Sequence, residues 1–206
     1  VNLDFTSIFM EGKGDISLLP SQIFTDKAGV IHSSGDKQSP WIGIAPFAAH
    51  KGKIYPIDKM EKVIQQLIHT YPQVRLYLFG GGKEETAIMN QWAETYPQVI
   101  NASSQLNGLA QELNLMSQLQ LMISMDSGNM HLASLVNTPV ISIWGATHPY
   151  AGFMGWNQDD ANAVQVSLPC RPCSIYGNKP CLRGDYACLN EIQPEEIINK
   201  VKFILQ

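Results

Sequence analysis

The sequence predicts an α/β fold, in which a parallel β-sheet flanked by helices occupies residues 41–206. Two observations predict it. From Trp41 onward, short apolar runs with the length of buried strands alternate with segments whose apolar residues recur at helical spacing. A helix-length segment separates each strand-like run from the next, and parallel strands joined by right-handed crossovers need such connections.

The predicted elements follow one another closely. The first strand, Trp41–Ala45, ends at Pro46, and Pro56 opens the first helix. One face of that helix is apolar, through Ile57, Met60, Val63, Ile64, Leu67 and Ile68. Further strands are predicted at residues 74–79, 98–100, 121–124, 138–144 and 161–166. Further helices are predicted at residues 84–96 (burying Ile88 and Trp92), 106–117 and 128–135, and from Pro194 onward.

Residues 1–40 lack this alternation. Glycine, serine and proline are frequent there, as in Ser33–Pro40, and such segments form loops. We therefore expect residues 1–40 to be a linker or crossing segment from a preceding domain, and residues 41–206 to form one domain. The chain begins at Val1, without an initiating Met, so we expect it to be a fragment.

Composition excludes several classes of protein. The 206 residues carry a net charge of −4 with only 16% charged residues, and nucleic-acid-binding domains are usually strongly basic, so no nucleic-acid partner is expected. No apolar run approaches the roughly 18–20 residues of a membrane span, so no transmembrane segment is expected. The first residues lack the features of a signal peptide, and we expect a cytoplasmic protein.

All four cysteines lie in one short window: Cys170, Cys173, Cys181 and Cys188. Four thiolates suit a tetrahedral structural zinc ion, although only the first pair has the Cys-x-x-Cys spacing of common zinc sites. Two disulfides, or reduced thiols that pack a loop, are the alternatives, and a reducing compartment disfavours the disulfides. We expect this loop to lie away from the chemistry of the protein.

Ligands of parallel α/β sheets bind at the carboxyl ends of the strands. Four loops follow predicted strands there, at residues 46–55, 80–85, 126–131 and 145–149. The strongest signal is Asp126–Ala133, where a buried strand passes into a helix through Ser127 and Gly128. Free N–H groups and the helix dipole favour an anion at such a place, and His131 offers a further donor. An ordinary capped helix with a surface histidine explains the same residues equally well.

The other three loops offer complementary groups. Lys51 or Lys53 can meet a phosphate, and the glycines at residues 80–82 let the backbone approach a ligand. A carboxylate just after them can accept ribose hydroxyls, and Thr147 with His148 can face the same crevice. Solvated lysines and ordinary turns are the alternatives for each loop by itself. Together the four loops predict a crevice for a nucleotide diphosphate.

The order of these motifs resembles glycosyltransferase family 9, the ADP-heptose:lipopolysaccharide heptosyltransferases and their relatives. The resemblance covers about residues 41–206, and its most specific part is Asp-Ser-Gly-x-x-His-Leu-Ala. The stretches that carry it are Ile42–Pro46, Lys53–Pro56, residues 80–85, Asp126–Ala133 and Gly145–Pro149. The chain departs from residues common in the family at Phe47, Tyr55 and Ala146, where Gly, Trp and Pro are usual.

The resemblance implies a GT-B fold, two Rossmann-like domains that face a cleft, with this chain as the C-terminal, donor-binding half. It implies that Ser127, Gly128 and His131 line the pyrophosphate of a nucleotide sugar, with Asp126 beside the donor sugar. Thr147 belongs to the same donor site.

Two further roles are implied by the resemblance. Lys53 would neutralise phosphate charge, and Glu84, or else Glu85, would hold the ribose. The family inverts the anomeric carbon without a catalytic metal, and its proposed base is an Asp of the N-terminal domain. We therefore expect no cofactor for catalysis, and a catalytic base outside this chain.

The implied function is transfer of a heptose-type sugar from ADP-heptose to a lipopolysaccharide core or a similar surface glycan. The glycolipid acceptor would bind through the missing domain, in the cytoplasm or at the cytoplasmic face of the inner membrane. A nucleotide-sugar epimerase of GT-B fold and a non-catalytic nucleotide-binding module are the alternatives.

Overall fold

The computed structural model describes residues 22–25, 31–33 and 39–206 of the chain. Strands β1 (Gln22–Thr25) and β2 (Ile31–Ser33) pair antiparallel. They belong to a unit that ends at Asp36, and the second unit starts at Lys37. Most of the predicted linker, residues 1–40, lies outside the described residues, and its role stays a prediction.

The second unit is built on a six-stranded parallel sheet, which confirms the predicted α/β fold. The strands lie in the order β5-β4-β3-β6-β7-β8, and every pair is parallel. They are β3 (Trp41–Ala45), β4 (Arg75–Leu78), β5 (Val99–Asn101), β6 (Leu121–Met125), β7 (Val140–Ile143) and β8 (Ala163–Val164). The last strand is much shorter than the predicted 161–166, because Asp160–Asn162 form a 3₁₀ turn before it.

Six helices accompany this sheet among the described residues: α1 (Ile57–Thr70), α2 (Lys83–Thr95), α3 (Leu109–Met116), α4 (Gly128–Leu135), α5 (Ala187–Asn190) and α6 (Pro194–Ile204). The short α5 was not predicted. Helix α3 starts later than the predicted residue 106, because Gly108 has a φ of +85° and cannot continue a helix. Helix α2 buries Met89 together with Trp92, whereas Ile88 is only partly buried.

The strand order creates one crevice. From β3 the chain runs outward through β4 to β5, then returns to β6 on the other side of β3 and continues to β8. The loops that leave β3 and β6 therefore diverge from neighbouring strands, at the topological switch point where α/β proteins bind ligands. Every residue of β3, β6 and β7 is buried, so the sheet holds these loops on a rigid edge.

Helix α1 buries an apolar stripe of Met60, Val63, Ile64 and Leu67, and it packs beside α6. The buried Tyr55, just before α1, donates its hydroxyl to the Ile192 carbonyl at 3.0 Å. Burial raises the pKa of Tyr55 above its ordinary value, so the hydroxyl stays a donor. Tyr55 therefore lies in the core, where it ties the loop after β3 to the start of α6.

Among the described residues, no helix combines the length and apolar character that crossing a membrane would require.

The loop after β3 crosses the loop after β7 at a pair of glycines. The Ala146 amide donates to the Gly52 carbonyl at 2.8 Å. A Cβ added to Gly145 would lie 2.4 Å from that carbonyl oxygen and 2.6 Å from Cγ of Leu189, which real Cβ atoms essentially never do. The two loops can approach this closely only because Gly145 has no side chain.

We predict that Gly145→Ala destabilises the protein by about 1–3 kcal/mol, because the added methyl group has to displace backbone. Urea denaturation measures this change in the free energy of unfolding. Gly81→Ala is the matched control, since a Cβ there would meet nothing within 4 Å. Equal stability of the two variants would contradict the close crossing of the loops.

Candidate functional site

A cavity of about 270 Å³ opens at the carboxyl edge of the sheet. Three of the four loops predicted from the sequence line it, those after β3, β4 and β6. The lining residues are Phe47, Ala48, Ala49, Gly80, Gly81, Glu85, Ser127, Gly128, Asn129 and Leu132. Its volume is close to the lower end of small-molecule pockets, about 300 Å³.

The N-terminus of α4 faces this cavity. Ser127 is the N-cap residue, but its side chain does not cap the helix, and its Oγ lies 3.2 Å from Oγ of Ser124. Gly128 and Asn129 begin the helix and line the cavity, so the first amides and the positive end of the dipole lie at its wall. A Cβ on Gly128 would meet nothing within 4 Å, so the space beside its backbone is open. This is the geometry of an anion site.

A buried polar cluster lies beside the cavity, where the loops after β3, β6 and β7 meet. Lys53 Nζ and Thr147 Oγ1 each lie 2.8 Å from Oδ2 of Asp126. Asp126 is 4% exposed and Thr147 is fully buried. The structure therefore brings together three residues that the sequence placed in separate loops. Lys53 thus pairs with a buried carboxylate. The prediction that Lys53 neutralises phosphate charge did not include this ion pair.

The loop that follows β8 packs on one side of Lys53. A Cβ on Gly177 would lie 2.7 Å from Cγ of Lys53, so the backbone of Gly177 packs directly on the lysine stem. The Lys53 ammonium also lies 5.9 Å from the centre of the Phe153 ring, within the range of a cation–π contact. These contacts shield the ion pair from water, and they restrict the directions in which Lys53 can reach.

Two predicted site residues lie neither in the cavity lining nor in the cluster around Asp126. His131 and Glu84 are both exposed. Glu85, the alternative to Glu84, lines the cavity and accepts the Gly81 amide at 2.9 Å. Glu85 takes this place because it is the third residue of α2, and a glutamate there can reach back to a backbone N–H that precedes the helix.

The apolar wall of the cavity was missed as a functional surface. It consists of Phe47, Ala48 and Ala49 after β3, with Leu132 opposite them. Two signals could have found it. A small apolar run directly follows a strand at the ligand edge, and Leu132 lies one helical turn after Gly128, on the same face of α4.

The four cysteines of the loop after β8 form no disulfide. Cys170, Cys173, Cys181 and Cys188 are all free thiols. Within residues 39–206 and the two described strands before them, no group of three or more His, Cys, Asp or Glu residues could hold a metal ion. Of the three alternatives, the structure has the reduced thiols. Cys188 is buried, and burial raises the pKa of its thiol.

This loop, which we expected to lie away from the chemistry, contacts the turn that carries the predicted site residue Thr147. The Cys173 amide donates to the Ala146 carbonyl at 3.1 Å, immediately before Thr147. Arg171 donates from its guanidinium to the carbonyl oxygens of Gly145, Thr147 and Val166. These bonds to backbone offset part of the entropy cost of ordering a long loop.

A family model described as glycosyltransferase family 9 (heptosyltransferase) matches residues 16–181 of the chain. Among curated proteins, the lipooligosaccharide heptosyltransferase 2 of Campylobacter jejuni is 26% identical over 137 residues, which cover 64% of this chain and 41% of that protein. The lipopolysaccharide heptosyltransferase 1 of Campylobacter coli is 26% identical over 162 residues, which cover 75% of this chain and 44% of that protein. The chain thus spans about two fifths of the length of these relatives.

Solved structures show the same fold. One is the E. coli heptosyltransferase WaaC with ADP, which superposes with a TM-score of 0.58 at 17% identity. The superposition covers 81% of this chain and 44% of that one. The six-stranded parallel sheet with its helices is therefore the arrangement found in part of a larger heptosyltransferase.

We predict that Lys53→Met destabilises the protein by about 2–3 kcal/mol, because it leaves the buried Asp126 carboxylate without its cation. Lys51→Met is the matched control, since Lys51 is exposed and its Nζ lies 5.0 Å over the Tyr186 ring. Chemical denaturation compares the two. If both variants unfold at the same denaturant concentration, the ion pair contributes nothing to stability.

Proposed function

The chain belongs to glycosyltransferase family 9, and we propose that its site binds the nucleotide diphosphate part of a sugar donor. The observation that carries the proposal is the N-terminus of α4. It opens without a side-chain cap into the cavity, beside a glycine whose Cα faces free space. Diphosphate oxygens fit such a terminus, because they accept the first amides and favour the positive dipole end.

The nucleoside fits the apolar side of the same cavity. Phe47 and Leu132 offer surface for a base ring, and Gly80 and Gly81 leave backbone free to contact a ligand. The Glu85 carboxylate lies in this wall, and its second oxygen can accept ribose hydroxyls while the first holds Gly81. We therefore propose Glu85, in place of Glu84, as the residue that binds ribose.

The cluster around Asp126 fits the sugar end of the donor. Lys53 and Thr147 both use Oδ2 of the carboxylate. Within the described residues this leaves Oδ1 as the oxygen that can accept a sugar hydroxyl. Lys53 remains close to the α4 N-terminus through Asp126, which immediately precedes Ser127, so its charge also favours a nearby phosphate.

For the whole protein we propose transfer of a heptose-type sugar from ADP-heptose to a lipooligosaccharide or lipopolysaccharide acceptor, with inversion at the anomeric carbon. The names of the two Campylobacter relatives support this substrate class, and so does the ADP in the structure of E. coli WaaC. The catalytic base and the acceptor site are proposed to lie outside this donor site. The acceptor and the cytoplasmic location stay predictions.

We predict that the chain binds ADP at least tenfold more tightly than adenosine, because charge-assisted hydrogen bonds to phosphate contribute about 1.5–3 kcal/mol. Isothermal titration calorimetry with ADP, UDP, GDP and adenosine measures this difference. Gly128→Ala should remove most of the advantage of ADP over adenosine, because its methyl group occupies the space that the diphosphate needs.

Thermal denaturation shows whether Gly128→Ala affects ligand binding alone or also the stability of the protein. A Cβ at Gly128 meets no other atom within 4 Å, so thermal stability should not fall. Equal binding of all three diphosphates, or none in a folded sample, would count against the proposed donor site.

We predict that Glu85→Ala weakens adenosine binding about tenfold, whereas Glu84→Ala leaves it unchanged, because only Glu85 lines the cavity. The two neighbouring glutamates form a matched pair with the same loss of charge. Because adenosine has no phosphate, calorimetry with adenosine measures nucleoside binding without a contribution from phosphate contacts. If Glu84→Ala weakened adenosine binding and Glu85→Ala left it unchanged, Glu84 would be the residue that binds ribose.

A further inference from the structure

Arg171 connects the cysteine loop to two strand ends of the sheet. Its Nη2 donates to the Thr147 carbonyl at 2.9 Å and to Oε1 of Gln165 at 3.0 Å. Its Nε donates to the Gly145 carbonyl, and its Nη1 donates to the Val166 carbonyl. One guanidinium thus holds the turn after β7 and the segment after β8 together.

The turn held in this way carries Thr147. Its carbonyl accepts from Arg171, while its hydroxyl donates to Oδ2 of Asp126 at 2.8 Å. Lys53 reaches the same oxygen. The chain of contacts therefore runs from Arg171 to Asp126 by way of Thr147, which bonds to both of them.

We infer that Arg171 is a positioning residue for the sugar-diphosphate site, acting on Asp126 through Thr147. The inference rests on the proposed function, in which Asp126 and Lys53 face the donor. Arg171 holds the backbone of Thr147 in the place from which the threonine hydroxyl reaches Asp126. With Thr147 fixed, Oδ2 is held by two donors, and the Lys53 ammonium stays beside the N-terminus of α4, where its charge favours a phosphate.

Arginine suits this position better than lysine. The guanidinium is planar, stays charged when half-buried, and presents five donors in a fixed fork. The four acceptors around Arg171 lie on two separate segments, after β7 and after β8, and a single ammonium cannot serve them all. Burial lowers the pKa of Arg171, and the thiols of Cys188, Cys170 and Cys173 act in the opposite direction.

A double-mutant cycle tests whether Arg171 acts through Thr147. The variants are Arg171→Met, Thr147→Val and the double variant, each unfolded in urea and titrated with ADP and with adenosine. We expect Arg171→Met to lower ADP affinity about tenfold and to leave adenosine affinity unchanged, because the apolar side of the cavity is untouched. In the Thr147→Val background, Arg171→Met should have less than half of that effect. The ADP affinity of Arg171→Lys should lie between those of Arg171→Met and wild type.

Arg183→Met is the matched control, because Arg183 is an exposed arginine of the same loop whose guanidinium pairs with Asp185. It should change neither affinity. If Arg171→Met does not fold, Arg171→Lys takes its place in the cycle.

Several results would overturn the inference. Additive losses of ADP affinity would show that Arg171 does not act through Thr147. Equal losses for ADP and adenosine would show a role in stability alone. If wild type binds no ADP, the proposed donor site fails and the positioning role fails with it, and the unfolding cycle decides only whether Arg171 is coupled to Thr147. Additive destabilisation would then refute the coupling to Thr147, and non-additive destabilisation would support it.

Discussion

The ion pair between Lys53 and Asp126 is the interaction on which the arrangement of the site depends. A carboxylate that is 4% exposed requires compensation, and Lys53 and Thr147 supply it from two other loops. Gly52 and Gly145 allow these loops to cross closely enough for the contact, and Gly177 packs on the lysine stem. Three loops from three strands therefore converge on one oxygen atom, and these glycines let them approach.

The cavity and the cluster around Asp126 differ in chemistry. On one side Phe47 and Leu132 form an apolar wall, with Glu85 as the carboxylate of that wall. On the other side Asp126 and its partners form a polar cluster, and the N-terminus of α4 lies between the two. This order of apolar wall, positive dipole and polar cluster matches the order of base, diphosphate and sugar in a nucleotide-sugar donor. The proposed direction of the donor rests on this order.

Sequence patterns predicted the fold and the loops of the site, because strand and helix periodicity are local properties of the chain. They also placed Ser127 and Gly128 at a helix start, since a strand that ends at the ligand edge is followed directly by the helix. Contacts between distant segments could not be predicted in this way. Nothing local shows that Lys53 meets Asp126, or that Arg171 reaches the carbonyl of Thr147. The choice between Glu84 and Glu85 depends on which of two adjacent side chains turns back over the helix start.

A crystal structure of this chain with ADP would test the donor site most directly. We expect a diphosphate oxygen within about 3 Å of the amide nitrogen of Gly128 or Asn129, with the base against Phe47 and the Lys53–Asp126 pair intact. ADP bound elsewhere, or a diphosphate that contacts no amide of α4, would contradict the proposed site.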